Sequence, residues 1–247
     1  MAAPKISVVT VARNAGGVIE NTLRSVIFQT YPSFEYIVID MRSRDQTLEI
    51  IKNYSQHIAY WMSQTCENRF DAMNAGLRKC TGDYVLFLNA GHCFKTPDTL
   101  AQCLEGAGDA DLIYAPAIYA DKYGSTRAWH KQTPGPGALS KDRFINGMVV
   151  CPACMLVRRA LVPAFSVGPW RFANDLDWAI RVMDTVKNIH YYPEFFCLYR
   201  DRYMPPKKRF TILKERFDIC RRHFGWFRTL LEQFRIAFQA FRRRRIS

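Results

Sequence analysis

The 247-residue chain has no long apolar run. No stretch without a charged side chain exceeds the length of 144–157, and that stretch holds Asn146, Gly147, Pro152 and two cysteines. A bilayer-spanning helix needs about 20 mostly apolar residues, so no transmembrane helix is expected. The opening MAAPKISVVTV has only Lys5 ahead of a short β-branched run, which does not read as a secretory leader. The expectation is a chain made and kept in the cytoplasm. No internal repeat is visible. Cys151-Pro-Ala-Cys154 is a C-x-x-C, but no second pair follows at zinc-ribbon spacing and the thioredoxin-like context is missing. The eight cysteines are therefore expected to be reduced, partly buried structural residues. Acidic residues are scarce, 22 Asp and Glu against 35 Lys and Arg. The imbalance is local: from residue 205 onward 13 cations face 3 anions, which accounts for +10 of the formal +13. No nucleic-acid-binding module is recognisable, so nucleic acid is not expected as a partner.

What is present is the composition of a folded α/β protein. Apolar residues make up 49% and aromatics 14%, which excludes a disordered chain. Residues 6–11 (ISVVTV) form a continuous β-branched run, as for a strand buried on both faces. Val18, Ile19, Leu23, Val26 and Ile27 follow at helical spacing. Residues 36–39 read as a second strand ending at Asp40, and Ser43 with Gln46 fits a capping box for a helix reaching about residue 54. Strands are expected at 58–62, 84–88 and 111–119, with a helix at 70–79. Thr96-Pro97 reads as an N-cap followed by proline at the first helical position. Such alternation implies parallel βαβ units with their strand ends along one edge. Residues 121–140 form a Gly/Pro-rich loop, a candidate flap. A short amphipathic helix is expected at 174–183, and a basic helical tail after Pro205-Pro206.

The most informative stretch is 70–92, FDAMNAGLRKCTGDYVLFLNAGH, a helix carrying Asp71 and Asn74 that runs into a buried strand and a polar turn, Asn89-Ala90-Gly91-His92. In open α/β sheets, ligands bind outside the carboxyl ends of the strands. Together with S-V-V-T-V, I-V-I-D and S-R-D-Q-T, this stretch resembles family-2 glycosyltransferases of the GT-A fold, especially bacterial exopolysaccharide enzymes of the colanic-acid type. The resemblance covers residues 5–95 well and 140–200 weakly. It implies a Rossmann-like, mostly parallel sheet flanked by helices. It also implies transfer of a sugar from a nucleoside-diphosphate sugar, usually UDP-linked, to a lipid-linked or polysaccharide acceptor with inversion at the anomeric carbon. Thr10, Asp40, Asp71 and Asn89 would line the donor pocket.

In Asn174-Asp-Leu-Asp177, Asp175 would be the catalytic base and Asp177 a supporting residue, although both could instead serve the helix N-terminus through capping and dipole interactions. The chain departs from the family pattern in three places. Met41-Arg42 stands where two glycines are common, and Arg42 or Arg44 could instead reach a phosphate. His92 stands where an Asp usually holds Mg²⁺ or Mn²⁺; imidazole can bind Mn²⁺ but is a poor Mg²⁺ ligand. The usual His-Gln pair is replaced by Pro152-Ala153. Three readings stay open: His92 holds the metal with help from the donor, cationic side chains replace the metal, or the domain binds nucleotide sugar without catalysis. His57, His130, His190 and His223 have no partner legible in the sequence.

Domain expectations are a catalytic body over 1–204 and a basic amphipathic tail over 205–247. Phe224, Phe227, Leu231, Phe234, Phe238 and Phe241 recur every three or four residues, with Arg228, Arg235 and Arg242 on another face. Such a helix suits an anionic membrane surface, or packs on the core with a charged outer face. The combined expectation is a peripheral enzyme of the inner membrane face that builds a cell-envelope polysaccharide or lipid-linked oligosaccharide.

Overall fold

The β-branched run emerges as β1 (Ile6–Ala12), buried along its whole length as an interior strand of the main sheet. Residues 3–120, 126–128, 133–200 and 206–244 are described by the computed structural model. β1 pairs in parallel with β2 (Phe34–Asp40) and with β4 (Tyr84–Phe87), and β3 (Tyr60–Ser63) adds in parallel to β2. A central strand covered on both faces needs no apolar/polar alternation, which explains the continuous run. On the far side, β9 (Met155–Arg158) inserts antiparallel between β4 and β6 (Leu112–Tyr114), and β10 (Ile189–Tyr191) closes that edge in parallel with β6. The mostly parallel sheet is as expected. β9 is new, formed where the uncharged run ends at Arg158.

A smaller sheet runs in the order β5 (Cys93–Phe94), β11 (Cys197–Arg200), β7 (Ala117–Ala120) and β8 (Thr126–Ala128). Residues 111–119 were expected as one strand but divide between the two sheets. Pro116 lies between the halves, and proline has no N–H to give a ladder. Of the expected flap at 121–140, the structure describes 126–128, which are strand, and 133–140; the remainder lies outside the described residues.

The helices are α1 (Ile19–Ile27), α2 (Thr47–Asn53), α3 (Arg69–Leu77), α4 (Thr99–Leu104), α5 (Asn174–Thr185), α6 (Pro206–Phe224) and α7 (Trp226–Arg244). Two expected starts are corrected. The Ser43 hydroxyl is committed to Asp40 (2.5 Å), and Asp45 instead accepts the Thr47 amide (3.1 Å) ahead of α2. α4 begins only at Thr99, because Thr96 and Pro97 form a turn closed by the Thr99 hydroxyl donating to the Thr96 carbonyl (2.9 Å).

One face of the sheet packs on α1 through Val8, Val38 and Leu86; the other packs on α3 and α5 through Val9, Ile37 and Phe87. On that second face Phe165 stacks on Trp178 (5.1 Å) and meets Phe87 (5.1 Å) and Phe70 (5.4 Å). α3 approaches β1 closely: a Cβ on Gly76 would stand 2.4 Å from Val9 Cγ1. The aromatic wedge and this close approach bring α3 and α5 together beside the sheet's carboxyl edge.

The basic C-terminal segment is two helices, turning at Gly225 with φ +83°. α6 is built into the body: Ile219 and Cys220 are buried, and the Glu215 carboxylate accepts the amides of Arg171 (3.0 Å), Phe172 (2.9 Å) and Ala173 (2.9 Å) just ahead of α5. α7 carries the apolar stripe outward, with Phe227 79%, Leu231 59% and Phe234 67% exposed. The side chains of Phe238 and Phe241 lie outside the described residues. No described helix is long and apolar enough to cross a membrane.

Candidate active site

The loops that follow β1 and β2 are tied together at the carboxyl edge. The Met41 amide donates to the Ala12 carbonyl (2.8 Å), the Asn14 amide to the Ser43 hydroxyl (2.9 Å) and the Arg44 amide to the Asn14 side chain (2.9 Å). Asp40 is fully buried beneath this rim, accepting from the Ser43 amide (3.1 Å), the Ser43 hydroxyl and the Ser63 hydroxyl (2.6 Å). A carboxylate has about four acceptor positions, so one is left over. Arg42 has φ +51°, the left-handed conformation that glycine adopts without cost. The position makes the demand usually met by glycine, and an exposed arginine meets it with strain of order 1 kcal/mol. Thr10, expected in the donor pocket, is fully buried; its hydroxyl donates to the Leu88 carbonyl (2.6 Å) and meets the Tyr36 hydroxyl (3.0 Å). Thr10 fastens β1 to the end of β4.

The turn after β4 extends that attachment. The Leu88 and Ala90 amides donate to Val9 and Val11, and the His92 amide closes the turn on the Asn89 carbonyl (2.9 Å). Gly91 has φ +95°, and its amide donates to the Thr22 hydroxyl (2.9 Å) on α1. Among the described residues, the buried Asn89 side-chain oxygen has no hydrogen-bond partner, which marks a polar atom ready for a donor group. The His92 ring packs on Tyr199 of β11, with centroids 4.4 Å apart.

α3 and α5 supply the carboxylates. Asn68 caps α3, accepting the amides of Phe70 (2.8 Å) and Asp71 (3.1 Å). Asp71 in that first turn is half-buried, its carboxylate accepting a long hydrogen bond from the Glu67 amide (3.4 Å). Arg69, one turn-start away, forms an ion pair with Asp175 of α5. Burial raises the Asp175 pKa above the ordinary carboxylate value; Arg69 pulls it down, Cys151 nearby pushes it up, and the net shift is upward. Asp177 faces the other way, accepting from Ser166 (2.7 Å), Arg181 (2.8 Å) and His223 of α6 (2.8 Å). Burial alone would raise Asp177, but these partners outweigh it and hold its pKa below the usual range. Asp177 is thus a structural anchor, and His223, which had no partner legible in the sequence, is one of its supports.

The fold therefore brings Asp71, Asn89 and Asp175 to one edge, with the fully buried Asp40 and Thr10 side chains beneath it. Arg69, Glu215 and His223 were not legible as site-building residues. Arg69 immediately precedes the informative stretch, and its charge beside Asn68 was the one local signal; the other two act across more than 40 residues of sequence. The turn does not fit Mg²⁺ or Mn²⁺ held by protein carboxylates, since Asn89 and His92 offer an amide oxygen and an imidazole. Among the described residues, the group whose ligand atoms lie close enough to share a metal ion is instead Cys151, Cys154 and Cys197.

Comparison with known proteins identifies the family. The family model for glycosyl transferase family 2 matches residues 7–164. An uncharacterized glycosyltransferase of Mycobacterium tuberculosis is 32% identical over 155 residues, 61% of this chain and 56% of its own length. A PGL/p-HBAD biosynthesis glycosyltransferase of Mycobacterium bovis is 28% identical over 190 residues, 74% of this chain and 70% of its own. TuaG of Bacillus subtilis, named for teichuronic acid biosynthesis, is 34% identical over 178 residues, 70% of this chain and 69% of its own. Among solved structures, Staphylococcus aureus TarS 1–349 in complex with UDP-GlcNAc superposes with a TM-score of 0.68 at 20% identity, over 87% of this chain and 66% of that one. A Pyrobaculum calidifontis mannosyltransferase with GDP-Man and Mn²⁺ gives 0.64 at 18%, over 90% and 65%. The fold is that of the GT-A glycosyltransferases, and the chain spans little more than half the length of the first of these relatives. With the family model matching residues 7–164 and the α/β architecture in agreement, the chain belongs to glycosyl transferase family 2.

Proposed function

We propose that the chain transfers a sugar from a nucleoside-diphosphate sugar, UDP-linked, to a lipid-linked or polysaccharide acceptor, with inversion at the anomeric carbon. The observation that carries this reading is the convergence of Asp71, Asn89 and Asp175 at one sheet edge, with Asp175 made more basic by burial. Solved neighbours that hold UDP-GlcNAc or GDP-Man support the donor class. Relatives named for teichuronic acid and for PGL/p-HBAD biosynthesis support an envelope glycan or glycolipid product.

In the proposed reaction the acceptor hydroxyl oxygen attacks the anomeric carbon from the face opposite the diphosphate. The bond from that carbon to the diphosphate oxygen breaks, and its electron pair leaves with the nucleotide. Asp175 takes the hydroxyl proton as the new bond forms. Asp71 and the leftover acceptor position of Asp40 bind donor hydroxyl or base N–H groups, and Asn89 Oδ1 accepts one more hydrogen bond. The diphosphate charge is offset by Arg42 and Arg44 on the exposed rim. The outward stripe of α7 sits on an anionic membrane surface at the cytoplasmic face and brings the site to its acceptor.

The competing reading is a nucleotide-sugar-binding subunit without catalysis, favoured by the commitment of Asp175 to Arg69. Calorimetric titration with UDP and GDP, each with and without Mn²⁺, followed by donor-sugar hydrolysis, separates the two. Nucleotide binding with turnover that is lost in Asp175→Asn supports the enzyme. Binding with no turnover supports the subunit, and no binding sinks both. Binding strengthened by Mn²⁺ would show that the diphosphate brings an ion with it.

A further inference from the structure

Three thiols meet under the turn at residues 89–92, and the transfer reaction uses none of them. Cys151, Cys154 and Cys197 are each 1% exposed or less, and their sulfurs lie within 4.8 Å of one another. Cys154 Sγ and Cys197 Sγ are 3.2 Å apart, and all three cysteines are free. In a tetrahedral zinc site with Zn–S of about 2.3 Å, sulfurs sit about 3.8 Å apart. The observed cluster brackets that spacing before any ion draws the thiols into place.

Local structure explains how the cluster forms. Cys151 and Cys154 flank a single 3₁₀ turn (Pro152–Cys154), closed by the Cys154 amide donating to the Cys151 carbonyl (2.8 Å). This is the C-x₂-C spacing that presents two thiols to one ion. Cys197 arrives from β11, 43 residues later than Cys154, which is why no second pair is visible in the sequence. β11 pairs antiparallel with β5, Cys197 opposite Phe94 and Leu198 opposite Cys93. Continuing that register places Tyr199 opposite His92, and side chains two apart on a strand share a face. The His92–Tyr199 ring contact at 4.4 Å agrees. His92 thus stands on the Cys197 face of this ladder, while Cys93 points to the other.

We propose that Cys151, Cys154 and Cys197 hold a zinc ion, and that the His92 ring, which stands outside the 4.8 Å thiol cluster, turns in as the fourth ligand, so that the site cross-links the turn after β4, the 3₁₀ turn before β9 and β11. Three thiolates and one imidazole are a soft donor set that suits zinc and does not suit Mg²⁺. Ion binding releases the thiol protons to solvent, with no redox change. The ion's role is structural: it fixes the turn carrying Asn89, and it takes His92 out of the set available to a nucleotide-bound ion. The ion takes no direct part in the transfer step.

The test is metal analysis of the full chain, purified without chelator under reducing conditions. One zinc per chain is expected, together with cobalt substitution giving the thiolate charge-transfer and d–d bands of a tetrahedral site. Cys154→Ser and Cys197→Ser should each lose the ion, and His92→Ala should bind it at least tenfold more weakly. Cys103→Ser and Cys220→Ser, buried cysteines outside the cluster, should keep it. Wild-type protein that reaches less than a tenth of an equivalent of zinc or cobalt would overturn the proposal, whatever the variants do. So would a Cys154–Cys197 disulfide found by non-reducing peptide mass analysis, or iron in place of zinc. A His92→Ala protein with unchanged affinity and cobalt spectrum would remove His92 from the ligand set.

Discussion

Arg69 at the start of α3 and Asp175 at the start of α5 form an ion pair across 106 residues of sequence. The pair sets the working state of the proposed base. Burial raises the Asp175 carboxyl and Arg69 opposes the rise. A base must be deprotonated to act, so activity is present above its folded pKa and is lost as pH falls through it. Arg69→Gln removes the opposing cation, and the acid limb of the pH–rate profile should move to higher pH. Asp175→Asn should cost about 10²- to 10⁴-fold in turnover while leaving nucleotide affinity intact. Collapse of nucleotide binding in Asp175→Asn would make Asp175 a structural residue.

Glu215 is the second long-range support of that base. Its carboxylate accepts three successive amides ahead of α5, and charge-assisted bonds of this kind are stronger than neutral ones. Glu215→Ala should lower stability by about 3 kcal/mol, seen as a fall of several degrees in the melting temperature. Glu215→Gln should recover part of the loss. An unchanged melting temperature in Glu215→Ala would show that α6 is only loosely held to the body.

Acid sensitivity should trace to Glu35, well away from the site. Burial would raise this carboxyl, but Lys5, Ser7 and Thr81 hydrogen-bond to it and bring its pKa down to about 2. Its folded pKa is depressed, so the stabilisation is present above the ordinary value of 4.5 and fades as pH falls toward about 2. At about 1.4 kcal/mol per pKa unit the loss is of order 3 kcal/mol. Urea titrations between pH 6 and pH 3 should show wild type converging on Glu35→Gln. Parallel curves for the two proteins would contradict the assignment.

The outward face of α7 gives a surface prediction. Phe227, Leu231 and Phe234 are exposed at i, i+4 and i+7, beside Arg228 and Arg235. Their joint replacement by alanine should weaken sedimentation with phosphatidylglycerol vesicles more than tenfold, with no change in melting temperature. Binding of the wild-type chain should fall as salt rises. Equal binding of wild type and the triple variant would end the membrane reading of this helix.

Much of the fold was legible because its signals are local. The run at residues 6–11 is β-branched throughout, and Ile19, Leu23 and Val26 repeat at helical spacing, so β1 and α1 follow from propensity and periodicity within a few residues. The alternation of such segments already dictates parallel pairing with strand ends along one edge, which is how Thr10, Asp40 and Asn89 could be placed along it. Arg42 illustrates the boundary: the sequence shows a missing glycine, but only the backbone, at φ +51°, shows that the glycine conformation is kept.

What tertiary structure alone decided are the pairings between distant segments. The insertion of β9 between β4 and β6, the division of one expected strand at Pro116, and the withdrawal of Thr10 beneath the rim each depend on what packs alongside. The same holds for Arg69 with Asp175, Glu215 with the amides ahead of α5, and Cys197 with Cys151 and Cys154. Hydrogen bonds, ion pairs and thiol contacts act over a few ångströms of space. A chain records only separations in sequence, and the core that collapses around Phe70, Phe87, Phe165 and Trp178 converts one into the other.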